Sequence, residues 1–145
     1  MPDALDDYLS RHEAAFTAAC AAILRGPVPA GTAYGLFWFQ IDDTEWDPLP
    51  IALAWCDRDH GCEVQYPSPL TSLSCGGGSP PEGLDDDAVG ERVFHWIFRC
   101  WNQAGGKTSP LPFYGHNYHT SEQFCLRRAR YVTEEEIATD IASAV

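Results

Sequence analysis

The chain has 145 residues, 45% of them hydrophobic, which suits a single domain, residues 1–145, with a sizeable core. Its 21 acidic residues outnumber 9 basic ones, for a formal charge of −12 at pH 7. A field of that sign repels nucleic-acid phosphates and anionic membrane surfaces, so neither is expected as a partner, and it steers toward basic proteins instead. Keeping the chain dispersed in water is the simpler use of the same charge.

The first residues, Met1 to Asp7, are acidic where a secretory leader needs a basic start. No apolar run approaches the roughly 20 residues of a membrane span. The expectation is a cytoplasmic protein. Its six cysteines (Cys20, Cys56, Cys62, Cys75, Cys100 and Cys125) would then be thiols or metal ligands rather than disulfides.

In chain order, the three-and-four spacing of Leu5, Tyr8, Leu9, His12, Phe16, Ala19, Cys20 and Ile23 predicts a helix over residues 3–25. Gly26-Pro27 stops it. The alanines along it (Ala14, Ala15, Ala18, Ala19, Ala21 and Ala22) would allow close packing on a sheet. Tyr34 to Ile41 is apolar on both faces of an extended chain, which predicts a strand covered on both sides. Ile51 to Trp55 predicts a second strand, and Glu63 to Tyr66 a third. Residues 67–86 carry Pro67, Pro69, Pro80, Pro81 and Gly76-Gly77-Gly78, and read as a long irregular segment of functional or mobile character.

A second helix is expected over residues 87–104, with Val89, Val93, Trp96, Ile97, Cys100, Trp101 and Ala104 inward. Phe94 and Phe98 widen that stripe, so the helix should be buried on more than one side. Thr108 to Thr120 holds Pro110, Pro112 and Gly115 and reads as loop, with a short strand as the alternative within it. A strand beginning near Gln123 is expected toward Val132. Thr133 and Glu136 form a capping box that opens a last helix through about Ala144. The fold class is therefore α+β: a mainly antiparallel sheet packed against an N-terminal helix and a buried central helix, with a short C-terminal helix.

Several residue groups invite chemistry. Gly106-Lys107-Thr108 resembles the end of a phosphate-binding loop, but Trp101 stands where a glycine is required and a helix precedes it. Cys56, His60, Cys62 and Cys75 are a permitted tetrahedral zinc set, although His60 and Cys62 are closer than paired ligands usually lie. Cys125 with His116 or His119 is the best nucleophile–base pair, without a recognisable signature around it. Arg127, Arg128 and Arg130 suit either a carboxylate clamp or the plain offsetting of acidic surface. His95 reads as a partly covered structural histidine. No catalytic residue, metal site or cofactor is assigned from these patterns.

Between the first two strands lie Asp42, Asp43, Glu45, Trp46 and Asp47. A calcium loop would need glycine at Asp47 and a glutamate at Leu53, so that reading fails. Two others remain: a solvated hairpin tip, or an acidic docking surface with Trp46 as its anchor. Asp85 and Asp86, before the second helix, join the same candidate partner-binding set.

The outline of Leu5 to Leu24 as an amphipathic helix, Tyr34 to Asp43 as an aromatic strand running into acids, and Val89 to Trp101 as an apolar helix after a long loop resembles small bacterial immunity proteins of polymorphic and contact-dependent toxin systems, and related bacterial proteins. That resemblance implies an acidic α+β protein that blocks a toxin's active site by direct binding, without catalysis of its own. The competing readings are a small cytosolic enzyme or zinc-binding domain built on the Cys/His groups, and an oligomeric domain with a homodimer interface.

Overall fold

The computed structural model describes residues 4–39, 51–59, 62–65, 86–117 and 121–143. Helix α1 (Ala4–Arg25) leads to strands β1 (Tyr34–Phe39), β2 (Ala52–Cys56) and β3 (Cys62–Gln65). Helix α2 (Asp86–Gln103) follows, then a 3-10 turn at Gly106–Thr108. Strands β4 (Phe113–Asn117), β5 (Glu122–Cys125) and β6 (Arg130–Val132) precede helix α3 (Glu134–Ser143). The strands form one six-stranded sheet in the order β3-β2-β1-β4-β5-β6, antiparallel at every pairing except the parallel β1–β4 pair. The class is α+β, with the three helices of the described residues where the sequence reading places them.

β1 lies inside the sheet between β2 and β4, as its two apolar faces require. Phe37 and Phe39 join Leu53, Trp55, Phe113 and Phe124 on the face that packs against α1 and α2. Tyr34, Leu36 and Trp38 point the other way, with Ala54, Cys56, Tyr114, Cys125 and Val132, and Ile137 and Ile141 of α3 cover that face. The first face is largely aromatic: Phe16 stacks on Trp96 at 4.8 Å between ring centroids, and Phe94 on Phe124 at 5.4 Å. Such pairs add to the area they bury. Two glycines make room for them. A Cβ on Gly35 would stand 2.2 Å from the Phe113 ring, and one on Gly115 would stand 2.8 Å from the Phe94 ring.

Three expectations need correction, and a fourth gains detail: within Thr108 to Thr120 the short strand is β4, which runs inside the sheet. Pro112 sits just before the strand, where it costs no ladder hydrogen bond, and Gly115 is the seat of Phe94. The stretch toward Val132 is two strands, not one, because Ala129 turns the chain at φ 57° and Ala129 N–H donates to Cys125 O. The alanines of α1 do not line a sheet: Ala14, Ala15 and Ala18 are exposed, Ala19 is buried, and the helix packs chiefly on α2. Finally, Cys56 is disulfide-bonded rather than a thiol. The antiparallel register sets Cys56 directly opposite Cys62, within the backbone separation a disulfide spans. A covalent state set by the fold is invisible to an inference drawn from compartment alone. Residues 67–85 and the connection 40–50 lie outside the described residues.

Candidate functional site

Of the candidate partner-binding residues, Asp42, Asp43, Glu45, Trp46, Asp47 and Asp85 lie outside the described residues. Asp86 is the first residue of α2, and its side chain is likewise not described. The described framework nevertheless shows where these segments attach. β1 and β4 are parallel and end together, Phe39 beside Asn117. The chain leaves the sheet after Phe39 and is back in it at Ala52, paired with Trp38. Gly90, one turn into α2, sits over Asn117, where a Cβ would come 2.7 Å from the amide nitrogen. α2 therefore begins at the end of the sheet where β1 and β4 stop.

α1 begins there as well. Arg92 pairs with Asp6, and Arg99 with Glu13 at 2.8 Å, seven residues further on in both helices. That equal spacing makes α1 and α2 run parallel. Two helix N-termini thus face one end of the molecule, contributing about half a positive charge each. Against them stand Asp6, Asp7, Glu91 and Glu122, before Asp86 and Asp87 of α2 are counted. The negative side wins even after Arg92 neutralises Asp6.

Six of the nine basic residues lie at the opposite end: Arg25 closing α1, Arg58 after β2, Lys107 in the 3-10 turn, and Arg127, Arg128 and Arg130 around the β5–β6 turn. Two of the last three are paired with carboxylates, Arg128 with Asp140 and Arg130 with Glu136 at 2.6 Å. They offset local acid rather than form a clamp.

The second sheet face holds a cavity of about 290 Å³ lined by Tyr34, Leu36, Gln123, Glu134 and Ile137. Register builds it: Trp38, His116 and Gln123 stand in one row across β1, β4 and β5, with Leu36 and Tyr114 in the next. The capping box supplies the lid. Thr133 N–H donates to Glu136 Oε1 at 3.3 Å and Glu136 N–H to Thr133 Oγ1 at 3.2 Å, which starts α3 with Glu134 at the cavity rim. Burial pushes the Tyr34 hydroxyl pKa up, helped by the charges of Asp57 and Glu134. Burial lowers the His116 pKa, with Glu134 pulling the other way. Sequence reading missed this cavity; the alternation of Tyr34 and Leu36 and the capping box were visible, but not that they meet.

The thiols offer little chemistry. Cys20 and Cys100 are fully buried; burial pushes the Cys100 thiol up to about 11 and the Cys20 thiol higher still. Cys125 is 1% exposed, and its sulfur accepts the Arg128 backbone N–H. Its row neighbour is Tyr114, so His116 lies only diagonally from it. Cys56, in a disulfide, is withdrawn from the zinc set, while His60, Cys75 and His119 lie outside the described residues. His95 is about half exposed, with Glu91 at 4.0 Å and the Phe124 ring at 5.2 Å. Among the described residues no helix is long and apolar enough to cross a membrane. In comparisons with known proteins, the chain matches no family model, no curated protein and no solved structure.

Proposed function

We propose that this chain is a non-enzymatic binding protein, most concretely an immunity protein that neutralises a cognate bacterial toxin by binding it and occluding its active site. The observation that carries the reading is the convergence of acidic segments at one end of the molecule. The acidic starts of α1 and α2 lie at the end where β1 enters the Asp42–Asp47 connection. Basic groups that line a toxin's substrate cleft are the chemistry such an end would engage. Charge accelerates and orients the encounter, and Trp46 supplies the apolar anchor. Buried thiols and the Cys56 disulfide weigh against the enzyme and zinc readings.

The reading includes a cytoplasmic location, and here one observation pulls the other way, because disulfides persist mainly in oxidising compartments. Alkylation of thiols in intact cells, before lysis, decides the state of Cys56. For the function itself, the test is co-purification with the product of the neighbouring gene, together with protection of cells expressing that product. The expected result is a stable complex and restored growth. No association and no protection would overturn the reading.

A further inference from the structure

We infer that the cavity between β1, β5 and the first turn of α3 is a receptor for one arginine side chain of the basic partner. This deepens the binding-protein reading and rests on it for the identity of the partner, though not for the chemistry of the cavity. At about 290 Å³ the cavity lies at the bottom of the range for small-molecule sites, which suits a single side chain better than a drug-sized ligand. Leu36 and Ile137 offer apolar walls for the methylenes of an arginine stem, and Tyr34 adds an aromatic side chain beside them.

Two of the polar groups offer acceptor oxygens. Glu134 brings a carboxylate to the rim. Gln123 brings an amide carbonyl whose oxygen is buried and receives no hydrogen bond from the described residues. Buried acceptors in that condition are rare in native proteins. A guanidinium fork suits both chemically: one edge matches the carboxylate at the rim, and another N–H would meet the amide oxygen once the Gln123 side chain turns toward the ligand. No lysine or arginine is among the described lining residues, so an anionic ligand would meet Glu134 without a counter-charge. The N-terminus of α3 opposes a cation with about half a positive charge, but Glu134 and Glu135 in the same turn outweigh it about fourfold even with Glu136 paired to Arg130. The Glu134 charge also acts on Tyr34 and His116, raising the pKa of each, as its place in the cavity lining implies.

The test uses the full chain, isotopically labelled, titrated with N-acetyl-arginine N-methylamide and followed by NMR. The expected result is saturable shifts at Leu36, Gln123 and Ile137. Glu134→Gln should weaken the probe by about tenfold, the loss of one charge-assisted hydrogen bond. The uncharged N-acetyl-norleucine N-methylamide should not saturate. Equal binding of the norleucine probe, unchanged affinity in Glu134→Gln, or no saturation by the arginine probe would each overturn the assignment. Should Glu134→Gln unfold, Gln123→Met removes the second acceptor at similar size and gives the same readout. A probe that binds while the neighbouring gene product does not would overturn the immunity reading alone; a bound partner with a silent probe would overturn the receptor alone.

Discussion

Asp140 shows how single side chains tie the C-terminal helix to the sheet. The Tyr114 hydroxyl donates to its Oδ2 at 2.7 Å and the Arg128 guanidinium pairs with Oδ1. Burial works against the charged carboxylate, but these two donors outweigh it and hold its pKa below the ordinary aspartate value. A depressed folded-state pKa contributes stability above the unfolded-state value and loses it as pH falls through the folded one. Asp140→Asn should therefore cost about 1 kcal/mol at neutral pH, the low end for a charged hydrogen bond because Arg128 is more than a third exposed. Urea melts at a series of pH values should show the gap between the two proteins closing below about pH 4. Gly35 is the opposite case, a residue needed for what it lacks. Phe113, whose ring fills the space of the missing Cβ, is held by Trp101 at 4.4 Å and Trp55 at 5.8 Å, so it cannot swing away. Gly35→Ala should destabilise by about 1–3 kcal/mol in chemical denaturation, the usual cost of overpacking.

At the scale of elements, the helices were legible and the strands less so. α1 and α2 announce themselves because a buried helix face repeats every three or four residues over several turns: Leu9, Phe16, Ala19, Cys20 and Ile23 in one, Val93, Trp96, Ile97, Cys100 and Trp101 in the other. The capping box at Thr133 and Glu136 was readable to the residue, since its two hydrogen bonds join groups three positions apart. Thr133→Ala should cost about 1 kcal/mol and lower the thermal midpoint without changing the fold by circular dichroism. The interior position of β4 was hidden, although a short strand was allowed there, because Pro112 and Gly115 look like loop residues until the strand's neighbours are known. The proline lies one residue outside the ladder, and the glycine is required by an aromatic ring from a distant helix. β5 and β6 merged into one expected strand because Ala129 adopts a left-handed conformation that its residue type does not advertise.

For the whole molecule, the distribution of charge matters more than its sum. Parallel α1 and α2 put two acidic helix starts beside the end of β1, and six basic residues collect at the far end. Replacing Asp42, Asp43, Glu45 and Asp47 by their amides should leave the urea midpoint nearly unchanged. In stopped-flow association with the partner, the same variant should bind about tenfold more slowly at low salt. The difference should vanish near 1 M salt, where screening reaches only about 3 Å. An unchanged association rate would move the docking role to residues 67–86.

By itself the sequence determined the class of the fold, the three helices, the two-sided burial of β1 and the excess of negative charge. These are local or additive properties: periodicity along one segment, or a count over the chain. Only the tertiary structure decided the rest. It set β4 parallel to β1 and Cys56 opposite Cys62 along the ladder, and it holds Cys56 in a disulfide, away from thiol chemistry. It brought Tyr34, Leu36, Gln123, Glu134 and Ile137 around one cavity, and it chose the end of the sheet from which the acidic segments emerge. Those outcomes depend on strand order and register, which join residues up to about a hundred positions apart and leave no periodic trace in either partner.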